Sequence, residues 1–318
     1  MSVSDSLRPF WLAGVNLVTG EVSTSFRAWL TEGQYVFYGR GANEEIIFYS
    51  AAFETLISSV AHDINRMGMA AFESIHGIPS RQDIPRSTAW TLIRGYYAAF
   101  FAANAMARIF DAWVSQMDKE QIIELNKAMV AIGEKPCIHQ GLHRVEIDPR
   151  TKSFSVCPLH KRSHEATWKE FGILIERLVQ ELLKDSHSAD KDAQEAAVLF
   201  LEILEVLRTS PCRNDYNWLS LIRNELNYQH KHGAWYPHYR VSRFREEVNR
   251  YIAGWKRSPS AMLVPEEHIL IRFSKGCAQL VSLMRELLQD LNRRNPNNDS
   301  FLRHGVMRVL NQTATPLT

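Results

Sequence analysis

The chain has 318 residues, of which 45% are hydrophobic and 23% are charged, and its formal net charge is +2. These proportions are typical of a globular protein with a sizeable core, and they exclude a chain that is disordered on compositional grounds. So small a net charge also excludes bulk electrostatic attraction to nucleic acid or membrane. Any RNA contact would therefore need a local basic site.

The first 42 residues predict a small β element. Residues 11–30, WLAGVNLVTGEVSTSFRAWL, alternate apolar and polar positions around a Thr19-Gly20 turn, and QYVFYG follows. Alternation on both sides of a turn is typical of a β-hairpin.

Apolar residues recur at helical spacing from Asn43 onward. Asn43 is a candidate N-cap, and the helix that it begins is expected to end near His76-Gly77. A second long helix is predicted from Ser87 to about Met117. Its centre, LIRGYYAAFFAANAMARIF, is apolar on most faces, as expected for a helix in the middle of a bundle. A shorter third helix is predicted over 118–132.

Residues 133–163 interrupt this helical pattern. HRVEIDPRTKSFSVCPLH contains two short alternating runs around Asp148-Pro149, which predicts a β-hairpin inserted between helices. Further helices are predicted over 164–184, 190–209, 215–232, 240–256 and 265–293. The predicted fold class is thus all-α: a helical bundle over 43–256 with an insert at 133–163, preceded by the β element at 1–42 and followed by a C-terminal helical extension at 257–318.

Four cysteines are scattered along the chain, too sparsely for the disulfide framework of a small secreted domain. The N-terminus has no signal-peptide pattern, and no run of about 18 apolar residues predicts a membrane span. We therefore expect a cytoplasmic protein with no membrane partner. No glycine-rich phosphate loop is present, so kinase and dinucleotide chemistry have no support.

The segment WLSLIRNELNYQHKHGAWYP carries the main candidate site. Arg223 and His230 are seven residues apart, which on a helix brings the second side chain to within about 20° of the first and roughly 10 Å along the axis. Asn227 shares this stripe, and Asn224 and Lys231 lie at its edge. The neighbouring stripe is apolar and is formed by Leu219, Ile222 and Leu226.

An imidazole and a guanidinium together suit RNA cleavage that needs no metal. Histidine exchanges protons near neutral pH, and arginine holds a permanent charge that binds phosphate oxygens. One histidine in each chain is few for both an acid and a base, so a symmetric dimer is attractive because it supplies two. An Arg and a His at this spacing are also common on solvated helices or as C-terminal caps, and His232 beside Gly233 fits a cap.

Two separated segments together resemble the HEPN domain (higher eukaryotes and prokaryotes nucleotide-binding). HEPN proteins have an Arg, four to six residues and then a His, often with a polar residue after the Arg, as in Arg223, Asn224 and His230 here. They also tend to have an earlier helix rich in Tyr and Ala, which IRGYYAAFFAANAMARIF resembles. The four aromatic residues of that helix are expected in the core rather than stacked on RNA bases; they are Tyr96, Tyr97, Phe100 and Phe101.

The resemblance implies an endoribonuclease that acts on RNA as a homodimer with a composite active site and no metal. Such proteins serve as toxins or antiphage defence effectors, with an antitoxin or a defence protein as partner. Arg223 would stabilise phosphate charge, His230 would transfer protons and Asn224 would orient them. Supporting residues are expected from position alone: Asn227, Tyr228 and Lys231. The alternative is a catalytically inactive helical module that binds a partner or a nucleotide.

A second cluster of candidate ligands lies around the hairpin. Cys137, His139, Cys157 and His160 could hold a structural zinc that staples the hairpin, since two thiolates and two imidazoles make a tetrahedral site. This spacing fits no standard zinc finger. The alternative is a histidine-rich exposed loop, and a zinc-stapled helical regulator is a third candidate function that depends on this cluster.

Overall fold

The structure is a computed structural model that describes residues 3–42, 44–77, 87–185, 191–210, 215–235, 242–262 and 268–314. These residues form eleven α-helices and five β-strands, together with short 3₁₀ turns. The helices are α1 Val3–Leu7, α2 Phe26–Glu32, α3 Phe53–Ile75, α4 Thr88–Ile109, α5 Lys119–Val130, α6 Ser163–Asp185, α7 Lys191–Leu207, α8 Trp218–Tyr228, α9 Ser242–Ala253, α10 Ile269–Arg293 and α11 Val306–Ala314. The strands are β1 Tyr35–Arg40, β2 Ile46–Ser50, β3 Ala112–Met117, β4 Gly141–Asp148 and β5 Ser153–Leu159.

The five strands form one antiparallel sheet in the order β1-β2-β5-β4-β3. The fold is therefore mixed α/β, and the predicted all-α class is wrong. The hairpin of β4 and β5 exists as predicted, but it lies within the sheet, because β5 pairs with both β2 and β4. The sequence predicts an N-terminal β element that ends at residue 42. Strand β1 lies before this residue and β2 after it, and the two strands pair in the same sheet.

The turn between β4 and β5 is built around Asp148. Its carboxylate accepts hydrogen bonds from the backbone N–H of Arg150 at 2.9 Å and from the hydroxyl of Thr151 at 2.8 Å. Aspartate favours turns because its side chain bonds to backbone groups two residues on. On β4, Val145 and Ile147 are buried while the residues between them are partly exposed, so one face of the sheet lies against the core.

The predicted hairpin at residues 11–30 is wrong. This segment forms one 3₁₀ turn, Val15–Leu17, and then the start of α2, and the apolar residues that suggested alternation are buried at helical spacing, as in Phe26, Trp29 and Leu30. Thr19 forms an isolated bridge with Ser300 instead of pairing within the segment. Of the predicted β element, the described residues form a strand only at Tyr35–Arg40, which overlaps QYVFYG.

Two helix boundaries also differ from the prediction. Residues from Ile46 to Ser50 form β2, and α3 begins only at Phe53; the candidate N-cap Asn43 lies outside the described residues. Helix α4 ends at Ile109, and the chain reverses through Asp111, whose φ is 67°, to enter β3. Tertiary pairing in the sheet therefore overrides the helical spacing at both places.

The helical body packs around α4, which contacts α3, α6, α8, α9 and α10. This agrees with the prediction that the segment around YYAAFF lies in the middle of a bundle. Helix α10, in the predicted C-terminal extension, is buried along most of its length and packs against α4. Among the described residues, no helix combines the length and the apolar character needed to cross a membrane.

Candidate active site

Helix α8 places Arg223 inside the molecule. The helix buries Leu219, Ile222 and Leu226 against its neighbours α4, α6 and α7, as the apolar stripe predicts. Arg223 is buried as well, with only 8% of its surface exposed. Its guanidinium therefore lies between α8 and α4, where water screens its charge less than it would at an exposed position.

Tyrosines surround the Arg223 guanidinium. Nη2 donates a hydrogen bond to the hydroxyl of Tyr97, and Nη1 donates to Oδ1 of Asn224 at 2.9 Å. The guanidinium carbon also lies 5.6, 5.4 and 5.5 Å from the ring centres of Tyr96, Tyr97 and Tyr228. Such distances are within the range of cation–π attraction. The side chain is thus fixed in one orientation by two hydrogen bonds and three rings.

Two effects act in opposite directions on the pKa of Arg223. Burial lowers the pKa, whereas the hydrogen bond to Tyr97 and the nearby tyrosine oxygens raise it, and the net direction is upward. The guanidinium therefore stays charged at any physiological pH. Its Nε has no hydrogen-bond partner among the described residues, so one buried N–H remains to be satisfied.

His230 lies beyond the end of α8, which stops at Tyr228 and not at His232 as predicted. His230 has φ 50° and His232 has φ 65°, so both adopt left-handed backbone that cannot continue the helix. The predicted stripe from Arg223 to His230 is therefore interrupted. His230 is exposed, and its ring centre lies 6.0 Å from that of Trp235.

The chain after α8 folds back on the helix. Lys231 and His232 both reach Glu225, at 2.9 and 2.8 Å, and Trp235 Nε1 donates to the carbonyl oxygen of Leu226 at 2.7 Å. The indole of Trp235 therefore caps a carbonyl of the last turn of α8, whereas His232 contacts the side chain of Glu225. These contacts also make Lys231 a partner of Glu225, and its supporting role stays a prediction.

A second histidine, His164 on α6, packs against Tyr96 and Tyr97, the same two tyrosines that the Arg223 guanidinium contacts. Its Nδ1 shares a hydrogen bond with the hydroxyl of Tyr96 at 2.8 Å, and its ring centre lies 4.4 Å from that of Phe100. Trp168 Nε1 donates to the same Tyr96 oxygen at 3.0 Å. Burial, followed by the charge of Arg223, lowers the pKa of His164, so the imidazole is mainly neutral at pH 7.

The aromatic residues of α4 therefore do more than fill the core. Tyr96 is fully buried as expected, while Tyr97, Phe100 and Phe101 are half-buried and pack against the core. The two tyrosines join helices α6 and α8, since Tyr96 binds His164 and Tyr97 binds Arg223. A Tyr-Tyr pair in a helix that is otherwise Ala and Phe was the available signal for this polar junction. The remaining predicted residue, Asn227, is half-buried on α8.

Three of the four predicted zinc ligands line one cleft. Cys137, His139 and His160 share a cleft of about 600 Å³ with His143, beside β4 and β5. The Cys137 Sγ accepts a hydrogen bond from Arg40 Nη1 at 3.5 Å.

The fourth predicted ligand, Cys157, lies on the other face of the sheet. It stands opposite Arg144 in the β4–β5 register, whereas the buried His143 and Val145 point to the core face. Within the described ranges, no group of three or more His, Cys, Asp or Glu residues is arranged to hold a metal ion. The structural zinc stays a prediction, which metal analysis of the purified protein tests.

Comparison of the chain with protein-family models, curated proteins and solved structures finds no match.

Proposed function

We propose that the chain is an endoribonuclease that needs no metal ion for catalysis, with its active site at the Arg223 junction of α4, α6 and α8. The observation that supports this most is the guanidinium of Arg223, which is permanently charged, is held by Tyr97 and Asn224, and shares the Tyr97 ring with the imidazole of His164. A fixed cation of this kind stabilises the charge on a phosphate in the transition state. The resemblance to HEPN ribonucleases points to the same chemistry.

Arg223 binds the phosphate in this proposal, and Tyr228 lies over the site. Tyr228 is 66% exposed although its ring contacts the buried guanidinium. In this proposal the exposed ring turns outward and admits a phosphate to the unsatisfied Nε of Arg223. Asn224 then keeps the guanidinium in orientation, and the exposed His230 reaches the leaving group from the rim of the site.

The proposed enzyme works as a homodimer with a composite active site. Large apolar side chains are exposed around the motif helix, namely Leu221 and Tyr228 on α8 and Trp90 on α4. Exposed apolar groups of this kind are typical of a surface that another protein covers. A second copy placed there would bring two exposed His230 imidazoles together. A toxin or antiphage effector that attacks cellular RNA in the cytoplasm fits this arrangement, with an antitoxin or defence protein as its regulator.

The direct test is cleavage of a fluorescent single-stranded RNA of mixed sequence in the presence of EDTA. We expect the wild type to produce fragments with 2′,3′-cyclic phosphate and 5′-hydroxyl ends. Arg223→Ala should reduce the rate by about 100-fold or more, the usual effect of losing a group that stabilises transition-state charge. His230→Ala should also lower the rate, and because His230 is exposed it should leave the circular dichroism spectrum unchanged.

His304→Ala is the matched control, since His304 is also exposed and pairs with Asp299, outside the motif segment. Arg223→Lys separates folding from function, because it keeps a buried cation but loses the two-pronged geometry. Intact RNA after incubation with folded wild-type protein would overturn the proposal and favour the inactive module that binds a partner or a nucleotide. Mixing the Arg223→Ala and His230→Ala proteins should restore part of the activity if two chains share one site.

A further inference from the structure

We propose that His164, and not only the motif histidine, is a functional imidazole of the Arg223 site, and that it acts as the general base which takes the proton of the attacking 2′-hydroxyl. This inference rests on the proposed function and names a residue that the motif does not contain. His164 belongs to α6, whereas the motif lies on α8. The two helices meet through Tyr96 and Tyr97 of α4.

The hydrogen bonds around Tyr96 define the orientation of His164. The Tyr96 oxygen receives the N–H of Trp168 at 3.0 Å, and Ser220 also forms a hydrogen bond with this hydroxyl. The proposal requires the tautomer in which Tyr96 gives its own proton to Ser220 and accepts the Nδ1–H of His164. In this tautomer the lone pair of His164 lies on Nε2, which has no hydrogen-bond partner within the described part of the chain.

The surroundings of His164 favour a neutral base. The titratable and charged groups that face it are Tyr96 and Tyr97 from α4 and Arg223 from α8. On its own helix the adjacent Glu165 is paired with Lys161. Burial and the positive charge of Arg223 both lower the pKa of His164 below its usual 6.5. An imidazole with a lowered pKa is unprotonated at neutral pH and can accept a proton, and the neighbouring guanidinium binds the phosphate that is attacked.

The proposed step is a transphosphorylation. The proton of the 2′-hydroxyl passes to Nε2 of His164 as the 2′-oxygen forms a bond with phosphorus. The bond between phosphorus and the 5′-oxygen breaks, and the leaving oxygen takes a proton from His230 or from water. The products are a 2′,3′-cyclic phosphate and a 5′-hydroxyl end, and no oxidant or metal is consumed.

The test is the pH dependence of RNA cleavage by His164→Asn. Asparagine keeps an N–H that can donate to Tyr96 but cannot exchange a proton. For the wild type we expect the rate to rise with pH to a plateau, with the midpoint of the rise below pH 6.5. His164→Asn should be at least about 100-fold slower, because general base catalysis typically contributes this much. Its rate should also no longer show the rise with pH that the titration of His164 causes. His304→Asn, an exposed control, should match the wild type.

A second readout does not depend on activity. Nitrogen chemical shifts of the histidine rings should show His164 protonated on Nδ1 and unprotonated on Nε2. The pKa of His164 should rise in Arg223→Gln, because a neighbouring positive charge is removed. A His164 protonated on Nε2, or one whose pKa ignores Arg223→Gln, would contradict the assignment.

The outcomes separate the two proposals. If the wild type cleaves RNA and His164→Asn behaves like His304→Asn, the role of His164 is wrong and the ribonuclease proposal stands. If the folded wild type cleaves nothing, the ribonuclease proposal fails and His164 is a structural partner of Tyr96. Tyr96→Phe tests positioning: loss of the orienting oxygen should slow cleavage while leaving a titrating imidazole in the pH profile.

Discussion

Replacement of Asp63 by leucine is expected to lower the free energy of unfolding by about 3–5 kcal/mol. Asp63 on α3 is 3% exposed, and its Oδ2 lies 3.5 Å from Nε of Arg108 on α4. Arg108 is equally buried; burial lowers its pKa, and the charge of Asp63 opposes that shift. Without the carboxylate, a buried guanidinium has no counter-charge, and this costs more than the intact pair contributes. Urea denaturation followed by circular dichroism measures the change.

Two further variants show whether the effect comes from the buried charge. Glu195→Gln removes an exposed carboxylate that lies 3.7 Å from Lys191 on α7, and it should change stability by less than about 0.5 kcal/mol. Asp63→Leu combined with Arg108→Met removes both charges and should recover most of the loss. If Asp63→Leu costs no more than Glu195→Gln, the pair does not stabilise the junction of α3 and α4.

The helices were largely predictable from the sequence, and the sheet was not. Helices α3, α5, α6, α7 and α10 carry long apolar periodicities with local start signals, such as Asp118 before α5, whose side chain caps that helix. Strands β2 and β3 are short and lie directly beside long helices, so their apolar residues extended the helical pattern. Whether five such residues form a strand depends on pairing with distant segments, as between Ile46 and Val156.

The candidate site was predictable only in part. Arg223 and Asn224 are adjacent in sequence, and the structure keeps them in contact. The position of His230 depends on where α8 ends, and the end is set by two left-handed residues and by the contacts of Glu225, which the periodicity does not reveal. His164 is 59 residues from Arg223 in the sequence (223 − 164), so only the fold brings them together.

Replacement of Gly172 by alanine is expected to lower the free energy of unfolding by about 2–3 kcal/mol, as over-packing of a core does. A Cβ on this residue of α6 would lie 2.2 Å from two ring carbons of Tyr216 and 2.7 Å from its Cβ. Tyr216 is fully buried, and its hydroxyl donates to Glu176, so the ring cannot swing away. The clash outweighs the gain of about 1 kcal/mol that alanine offers in a helix.

The same change should reach the candidate site, because Tyr216 lies two residues before Trp218, where α8 begins. Gly172→Ala should therefore slow RNA cleavage by the folded fraction, because a displaced Tyr216 shifts the start of α8 and Arg223 with it. Gly276→Ala is the matched control: the three atoms nearest to its Cβ belong to Val206, with Cγ1 2.5 Å away, and a half-buried valine has more room to shift than a fully buried ring. Urea denaturation should show a smaller loss of unfolding free energy for this variant.

In a Tyr216→Leu background the destabilisation caused by Gly172→Ala should largely disappear, since the ring that the new methyl group would strike is gone. Equal losses for the two glycine variants, or a penalty that persists without the ring, would show that Tyr216 does not rest on Gly172.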